Sequence, residues 1–229
     1  MRIAVVGATG AVGTELLGLL AASQLTIEQI VPIASGRSAG RELPPAGSIP
    51  LGRVIALDDV GFTGVDVAFF TAGAAVSRRT GEKAASTGCL VIDNSSAFRM
   101  RDDVPLPVPQ VNPQVLDRRP ESGIIANPNC STIQLVRALA PLHEVAGLRR
   151  VVVSTYQAAS GGGLVGLSQL ASDSRTVLDK PSARRLYPRH EIANKAAEGE
   201  RARRSPLSRV MFESSAPATT GSPHPGDPG

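Results

Sequence analysis

The sequence predicts an α/β protein built on a doubly wound parallel sheet, and three observations carry that prediction. Arg2-Ile-Ala-Val-Val6 is a continuous apolar run that stops at Gly7 and leads into helically spaced apolar residues from Ala11 to Ala22, the pattern of a buried strand turning into a helix. Short apolar runs of the same kind recur downstream with helical stretches between them, which means parallel strands joined by crossovers. Apolar residues make up 42% of the 229 while aromatics are 3% and Trp is absent. Such a core must come from Ala, Val, Leu and Ile, the mixture that suits helices packed on a parallel sheet.

Taken in order, the elements follow from local pattern. Strands are expected at 2–6, 30–34, 54–57, 65–70 and 89–92, with helices over 11–22 and about 75–86. Residues 103–120 carry Pro105, Pro107, Pro109, Pro113 and Pro120, which block long helices and imply an extended crossover. A short strand over 123–126 precedes a helix over 130–145, read from Ile133, Leu135, Val136, Leu139 and Leu142. The β-branched run 150–155 predicts another strand, and Gly161-Gly162-Gly163 opens a helix to about Leu178. Beyond Lys180, prolines are scattered among Arg and Ser with few large aliphatics, so residues 180–229 are expected to be a poorly ordered basic tail.

Charge and cysteine usage narrow the function classes. Residues 1–179 hold 15 basic and 15 acidic side chains and residues 180–229 hold 9 and 5, so the tail carries the whole net charge of +4. A neutral body without interleaved aromatic and basic residues argues against nucleic acid as a partner. No run approaches the roughly 18 apolar residues of a spanning helix, which argues against a membrane. The start runs directly into the first strand without a leader pattern, so a cytoplasmic protein is expected. Cys89 and Cys130 form neither a disulfide framework nor a metal-ligand spacing, and no metal is expected.

The motifs carry chemistry. Gly7-Ala-Thr-Gly10-Ala-Val-Gly13 lies between the first strand and first helix, where a Rossmann-like domain holds a pyrophosphate on helix N-terminal amides. At the end of the second strand, Ser35-Gly-Arg37-Ser38-Ala-Gly40 offers a guanidinium and hydroxyls and no acid. That loop suits a 2′-phosphate and favours NADP over NAD. Asn127-Pro-Asn129-Cys130-Ser-Thr places a cysteine at a helix N-terminus, with Asn129 or Ser131 as cap, where dipole and amides stabilise a nucleophilic thiolate. Cys89, inside an apolar strand, reads as an inert core thiol. Asp93-Asn-Ser-Ser-Ala-Phe-Arg99 follows a strand end and supplies an Arg suited to phosphate, and Gln157 could hydrogen-bond an acyl group held on Cys130. A thiolate, an anion-binding Arg and an NADP site together imply acyl-phosphate reduction through a thioester, or its reverse.

With the five motifs in this order at 7–13, 35–40, 93–99, 127–132 and 156–163, the chain from residue 1 to about 179 resembles the aspartate-semialdehyde dehydrogenase family. The resemblance implies reduction of aspartyl-4-phosphate to the semialdehyde, on the route to diaminopimelate, lysine, threonine and methionine. It assigns the acyl-thioester nucleophile to Cys130, phosphate binding to Arg99 and substrate contact to Asn129 and Gln157. NADP contacts fall to Thr9, Gly10, Ala11, Val12, Arg37, Ser38, Ser160 and Gly161, beside the turn glycines Gly7 and Gly13. It further implies a homodimer, and a division into an NADP-binding domain over 1–126, a partial α+β catalytic and dimerisation domain over 127–179, and the tail. The family pattern continues with an Arg-Val-Pro-Val block and a histidine acid/base, neither of which follows here. His143 is too far along the Cys130 helix to serve, and His190 and His224 lie beyond the motifs. Two other readings remain open at this point: a related reductase of the N-acetyl-glutamyl-phosphate type, and a non-catalytic NADP-binding fragment.

Overall fold

The computed structural model describes residues 1–178; the tail expected to be poorly ordered lies outside them. The chain falls into two units, Met1–Gln157 and Ala158–Gly229. In the first, six parallel strands, β1 (Arg2–Val6), β2 (Gln29–Ala34), β3 (Ile55–Ala56), β4 (Val67–Phe70), β5 (Leu90–Asp93) and β6 (Ile124–Ala126), form one sheet. Their order is β3-β2-β1-β4-β5-β6. The chain thus starts in the middle, winds outward one way, then returns to β4 and winds the other way. The switch point between β1 and β4 is where such sheets leave a ligand crevice.

Strand β1 shows why both faces are filled. Ile3 and Val5 join Leu17 and Leu20 of helix α1 (Ala11–Ala21) and Ile30 in one buried cluster. Ala4 and Val6 join Phe70, Val91, Phe98 and Ala84 of helix α2 (Ala74–Ser86) in another. Alternating side chains of a strand covered on both sides must all be apolar, and RIAVV is. Pro32 is tolerated within β2 because the Ile33 carbonyl faces β1, accepting from Gly7 N at 2.8 Å. Position 32 therefore faces the other side, where β3 pairs only with Ile33 and Ala34, so no ladder bond is lost.

The Pro-rich stretch is irregular apart from a 3-10 turn at Pro113–Leu116. Helix α3 (Cys130–Ala146) follows β6 and buries none of its residues; Leu142 and Val145 are exposed. The strand expected over 150–155 does not form: the segment has no regular structure, and Val152 is 80% exposed. A β-branched run favours a strand only where a neighbour completes its ladder, and none does so among the described residues. The second unit, as described, is a 3-10 turn (Ala159–Gly162) followed by helix α4 (Gly163–Leu178).

Candidate active site

The glycine turn is shaped by two close approaches. Gly7 has φ +95°, and its amide and that of Ala8 both donate to the Ile33 carbonyl, at 2.8 and 3.1 Å. A Cβ on Gly13 would lie 2.1 Å from the Gly7 carbonyl oxygen, so helix α1 starts closer to β1 than any side chain allows. Gly10 caps α1 without a side-chain hydrogen bond. The amides of Ala11, Val12 and Gly13 have no acceptor among the described residues, and three unpaired donors at a helix N-terminus suit an anion.

Thr9 Oγ1 lies 3.4 Å from Ser38 Oγ, which brings the turn beside the loop that follows β2. There Arg37 sits in a 3-10 turn (Gly36–Ser38), exposed and without an ion pair or hydrogen bond among the described residues. The matching turn after β4, Thr71-Ala-Gly73, was not singled out by the sequence reading. Thr71 donates to the Val6 carbonyl at 2.9 Å and lies against Gly7, so it builds the other wall of the switch-point crevice. A small, hydroxyl-bearing turn directly after an apolar strand was the signal.

The candidate reactive residues come from the ends of β5 and β6. Asn129 is the N-cap of α3, accepting from Ser131 N at 2.9 Å, and Cys130 is the first helical residue and exposed. Arg99 donates from Nε to the Asn127 carbonyl at 2.9 Å and from Nη2 to the Asn94 carbonyl at 3.2 Å, while Asn127 Nδ2 donates to Asn94 Oδ1 at 2.6 Å. The guanidinium is thus tied to the strand end that delivers Cys130. Burial pushes the Arg99 pKa down, opposed by the charges of Asp93 and Cys130. Among the described residues it is a part-buried cation bonded only to carbonyls, with donor capacity left for an anion at the strand end that leads into Cys130.

Gln157 is exposed and has no hydrogen-bond partner among the described residues, and Tyr156 is fully exposed. Ser160 and Gly161 lie in the 3-10 turn of the second unit. His143 accepts from Leu148 N at 3.1 Å through Nδ1, closing the far end of α3. Thirteen residues at about 1.5 Å each separate it from Cys130 by roughly 20 Å. Among the described residues no cluster of three metal-ligating side chains occurs, and no helix is long and apolar enough to cross a membrane.

The two cysteines should differ sharply. Cys89 is fully buried, and burial pushes its pKa up to about 11, partly offset by Arg119. Burial thus favours the protonated, unreactive form of this thiol. Iodoacetamide labelling followed by peptide mapping is expected to modify Cys130 at least about tenfold faster in the folded protein. Faster labelling of Cys89 would contradict the placement of both.

Sheet order, the glycine turn at the switch point and the unpaired amides define a Rossmann-like dinucleotide-binding protein with an exposed cysteine at the neighbouring helix start. Residues 2–119 match the family model for the semialdehyde dehydrogenase NAD binding domain, and residues 139–206 match that for the semialdehyde dehydrogenase dimerisation domain. The chain belongs to the semialdehyde dehydrogenase family. The match runs past the last of the five motifs and past residue 179, and it takes in His190. Aspartate-semialdehyde dehydrogenase of Campylobacter jejuni is 47% identical over 169 residues, which are 74% of this chain and 49% of that protein. That of Aquifex aeolicus is 44% identical over 195 residues, 84% and 56% of the two chains. Among solved structures, Vibrio cholerae aspartate semialdehyde dehydrogenase II complexed with ASA superposes with a TM-score of 0.72 at 38% identity, covering 78% of this chain and 52% of that one. The Candida albicans enzyme with NADP gives 0.54 at 30% identity, covering 64% and 48%. The chain spans about half the length of the relatives it matches.

Proposed function

We propose that this chain supplies the cofactor-binding and thioester-forming part of an aspartate-semialdehyde dehydrogenase, which converts L-aspartyl-4-phosphate and NADPH to L-aspartate 4-semialdehyde, phosphate and NADP. The observation that carries the reading is an exposed Cys130 at the first turn of α3, three residues after the Asn127 carbonyl that holds the Arg99 guanidinium, which among the described residues bonds only to carbonyls. In this reading the Cys130 thiolate attacks the acyl carbon, the C–O bond to phosphate breaks, and Arg99 holds the departing phosphate. Asn129 and Gln157 would contact the substrate. NADPH, when bound, supplies the hydride that reduces the Cys130 thioester to the aldehyde, and the thiolate is regenerated. The residues present fit that cofactor: the amides of Ala11, Val12 and Gly13 for the pyrophosphate, Thr9 and Ser38 beside them, and Arg37 for the 2′-phosphate. The resemblance adds Ser160 and Gly161 as NADP contacts.

The same reading divides the chain into a cofactor domain over 1–126, the beginning of a catalytic domain over 127–179 and a basic segment beyond. The dimerisation-domain match supports a homodimer, and the small, charged substrates support a cytoplasmic setting. The deciding assay is phosphate-dependent oxidation of aspartate semialdehyde, read as NADPH absorbance and lost in Cys130→Ser. A rate that survives this substitution would remove the thioester mechanism.

Cofactor choice gives a separate test. NADPH is expected to bind more tightly than NADH in a fluorescence titration, and Arg37→Ala is expected to shrink that preference by about 1–3 kcal/mol, the range of a charge-assisted contact. Equal affinity for both cofactors in the unmodified protein would assign Arg37 to solvent.

A further inference from the structure

A buried carboxylate stands behind the proposed site without a role in it. Asp93 closes β5, is fully buried, and accepts from two different elements: Ser77 of α2 on Oδ1 at 2.5 Å and Ser95 of the following loop on Oδ2 at 2.7 Å. Burying a carboxylate is costly unless its lone pairs are met, so a packed apolar side chain would serve a purely structural purpose better. Ser95 Oγ also accepts from Ala97 N at 3.0 Å, closing the turn that leads to Phe98 and Arg99. Phe98 is buried against Gly81 of α2, where a Cβ would meet the ring at 2.9 Å. Arg101, just beyond, pairs with Glu82 of the same helix. The loop bearing Arg99 is therefore fastened to α2 on both sides of the guanidinium.

We propose that Asp93 is the positioning residue for Arg99: the Ser77–Asp93–Ser95 bridge ties the 94–99 loop to α2 and so aims the guanidinium at the strand end that delivers Cys130. The proposal rests on the reading of Arg99 as the cation beside Cys130. Asp93 touches no reacting atom; it acts through Ser95 and the turn that Ser95 closes. The two backbone carbonyls of Asn94 and Asn127 fix the plane of the guanidinium, and their own positions depend on the same strand end. Asp93 O accepts from Asn127 N at 2.7 Å, so both branches converge on this residue.

The test uses the charge of the alkylating reagent on the intact chain. The ratio of Cys130 rate constants for iodoacetate and iodoacetamide reports the cation at the sulfur, and it is expected to fall roughly threefold or more in Arg99→Met. Asp93→Asn and Ser95→Ala are expected to lower it likewise, Ser95→Thr to restore it, and Val91→Ala, which only loosens the neighbouring core, to leave it unchanged. A ratio that falls in Arg99→Met but holds in Asp93→Asn and Ser95→Ala overturns the positioning role alone. A ratio indifferent to Arg99→Met removes both the positioning role and the placement of Arg99. An equal fall in Val91→Ala reduces the bridge to general stability and overturns the proposal. Should Asp93→Asn fail to fold, the Ser95→Ala and Ser95→Thr pair decides by itself. Added inorganic phosphate that fails to slow alkylation, while the ratio still follows Arg99 and Asp93, would overturn the phosphate assignment and leave the positioning role standing.

Discussion

Gly13→Ala is expected to cost about 1–3 kcal/mol of stability, the range for forcing extra volume into a packed site, and to abolish measurable NADPH binding. The new Cβ would meet the Gly7 carbonyl oxygen at 2.1 Å, the Gly7 carbonyl carbon at 2.8 Å and Ala8 Cα at 2.9 Å. All three are backbone atoms of the turn and cannot swing aside, so the start of α1 must move away from β1 by about an ångström to regain ordinary contact distance. That movement carries the amides of Ala11 to Gly13 off the crevice, which is why binding should suffer more than folding. Gly18 provides the control on the same helix: a Cβ there meets nothing within 4 Å, and Gly18→Ala should stabilise by about 0.5–1 kcal/mol through helix propensity. Urea unfolding with an unchanged m-value, together with a fluorescence titration, separates the two substitutions. Equal stability and equal affinity in both would refute the close-packing account of the motif.

The first turn was legible because its determinants are local: an apolar run, three spaced glycines and a helical stripe adjoin in sequence. The helix start at Cys130 was legible for the same reason, with Asn129 and Ser131 both open as its cap; the structure makes Asn129 the cap and Ser131 N its donor. Strand β3 was read as four residues and forms as two, paired with Ile33 and Ala34: the Val54 amide donates to the Arg41 carbonyl instead, at 2.9 Å, and Leu57 turns into a 3-10 helix. The 150–155 strand was misread through the same blindness to partners, as propensity measures fit to a neighbour that the sequence window does not contain. Asp93 was seen only as the start of a polar segment. Its bond to Ser77 joins a strand end to the inner face of α2 across 16 residues, and one serine in an amphipathic helix gives no hint that it points at a buried acid. Gln157 was suggested by resemblance and by its place after an expected strand; with that strand unformed, its side chain is exposed.

Removing the group that moves the substrate proton is expected to slow turnover of aspartate semialdehyde about 10²–10⁴-fold, the usual cost of losing general acid–base catalysis. Attack by Cys130 on an acyl phosphate needs the sulfur and an anion site, which in the proposed reading Cys130 and Arg99 supply from the ends of β6 and β5. Passing a hydride efficiently also needs a group that takes or gives the proton on the substrate oxygen, within hydrogen-bond reach of it. Among the described residues His143 is the one histidine, and it caps the far end of α3, roughly 20 Å from the sulfur. Single-turnover and steady-state measurements with the acyl phosphate separate the steps: without that group, a stoichiometric burst of phosphate release and acyl-enzyme on Cys130 followed by slow NADPH oxidation is the expected pattern. A loss of turnover by that factor in His190→Ala, His190 lying within the dimerisation-domain match, or in His224→Ala would identify the group. The pH profile would then carry an inflection near the histidine range of about 6.5 that disappears in the corresponding His→Ala variant.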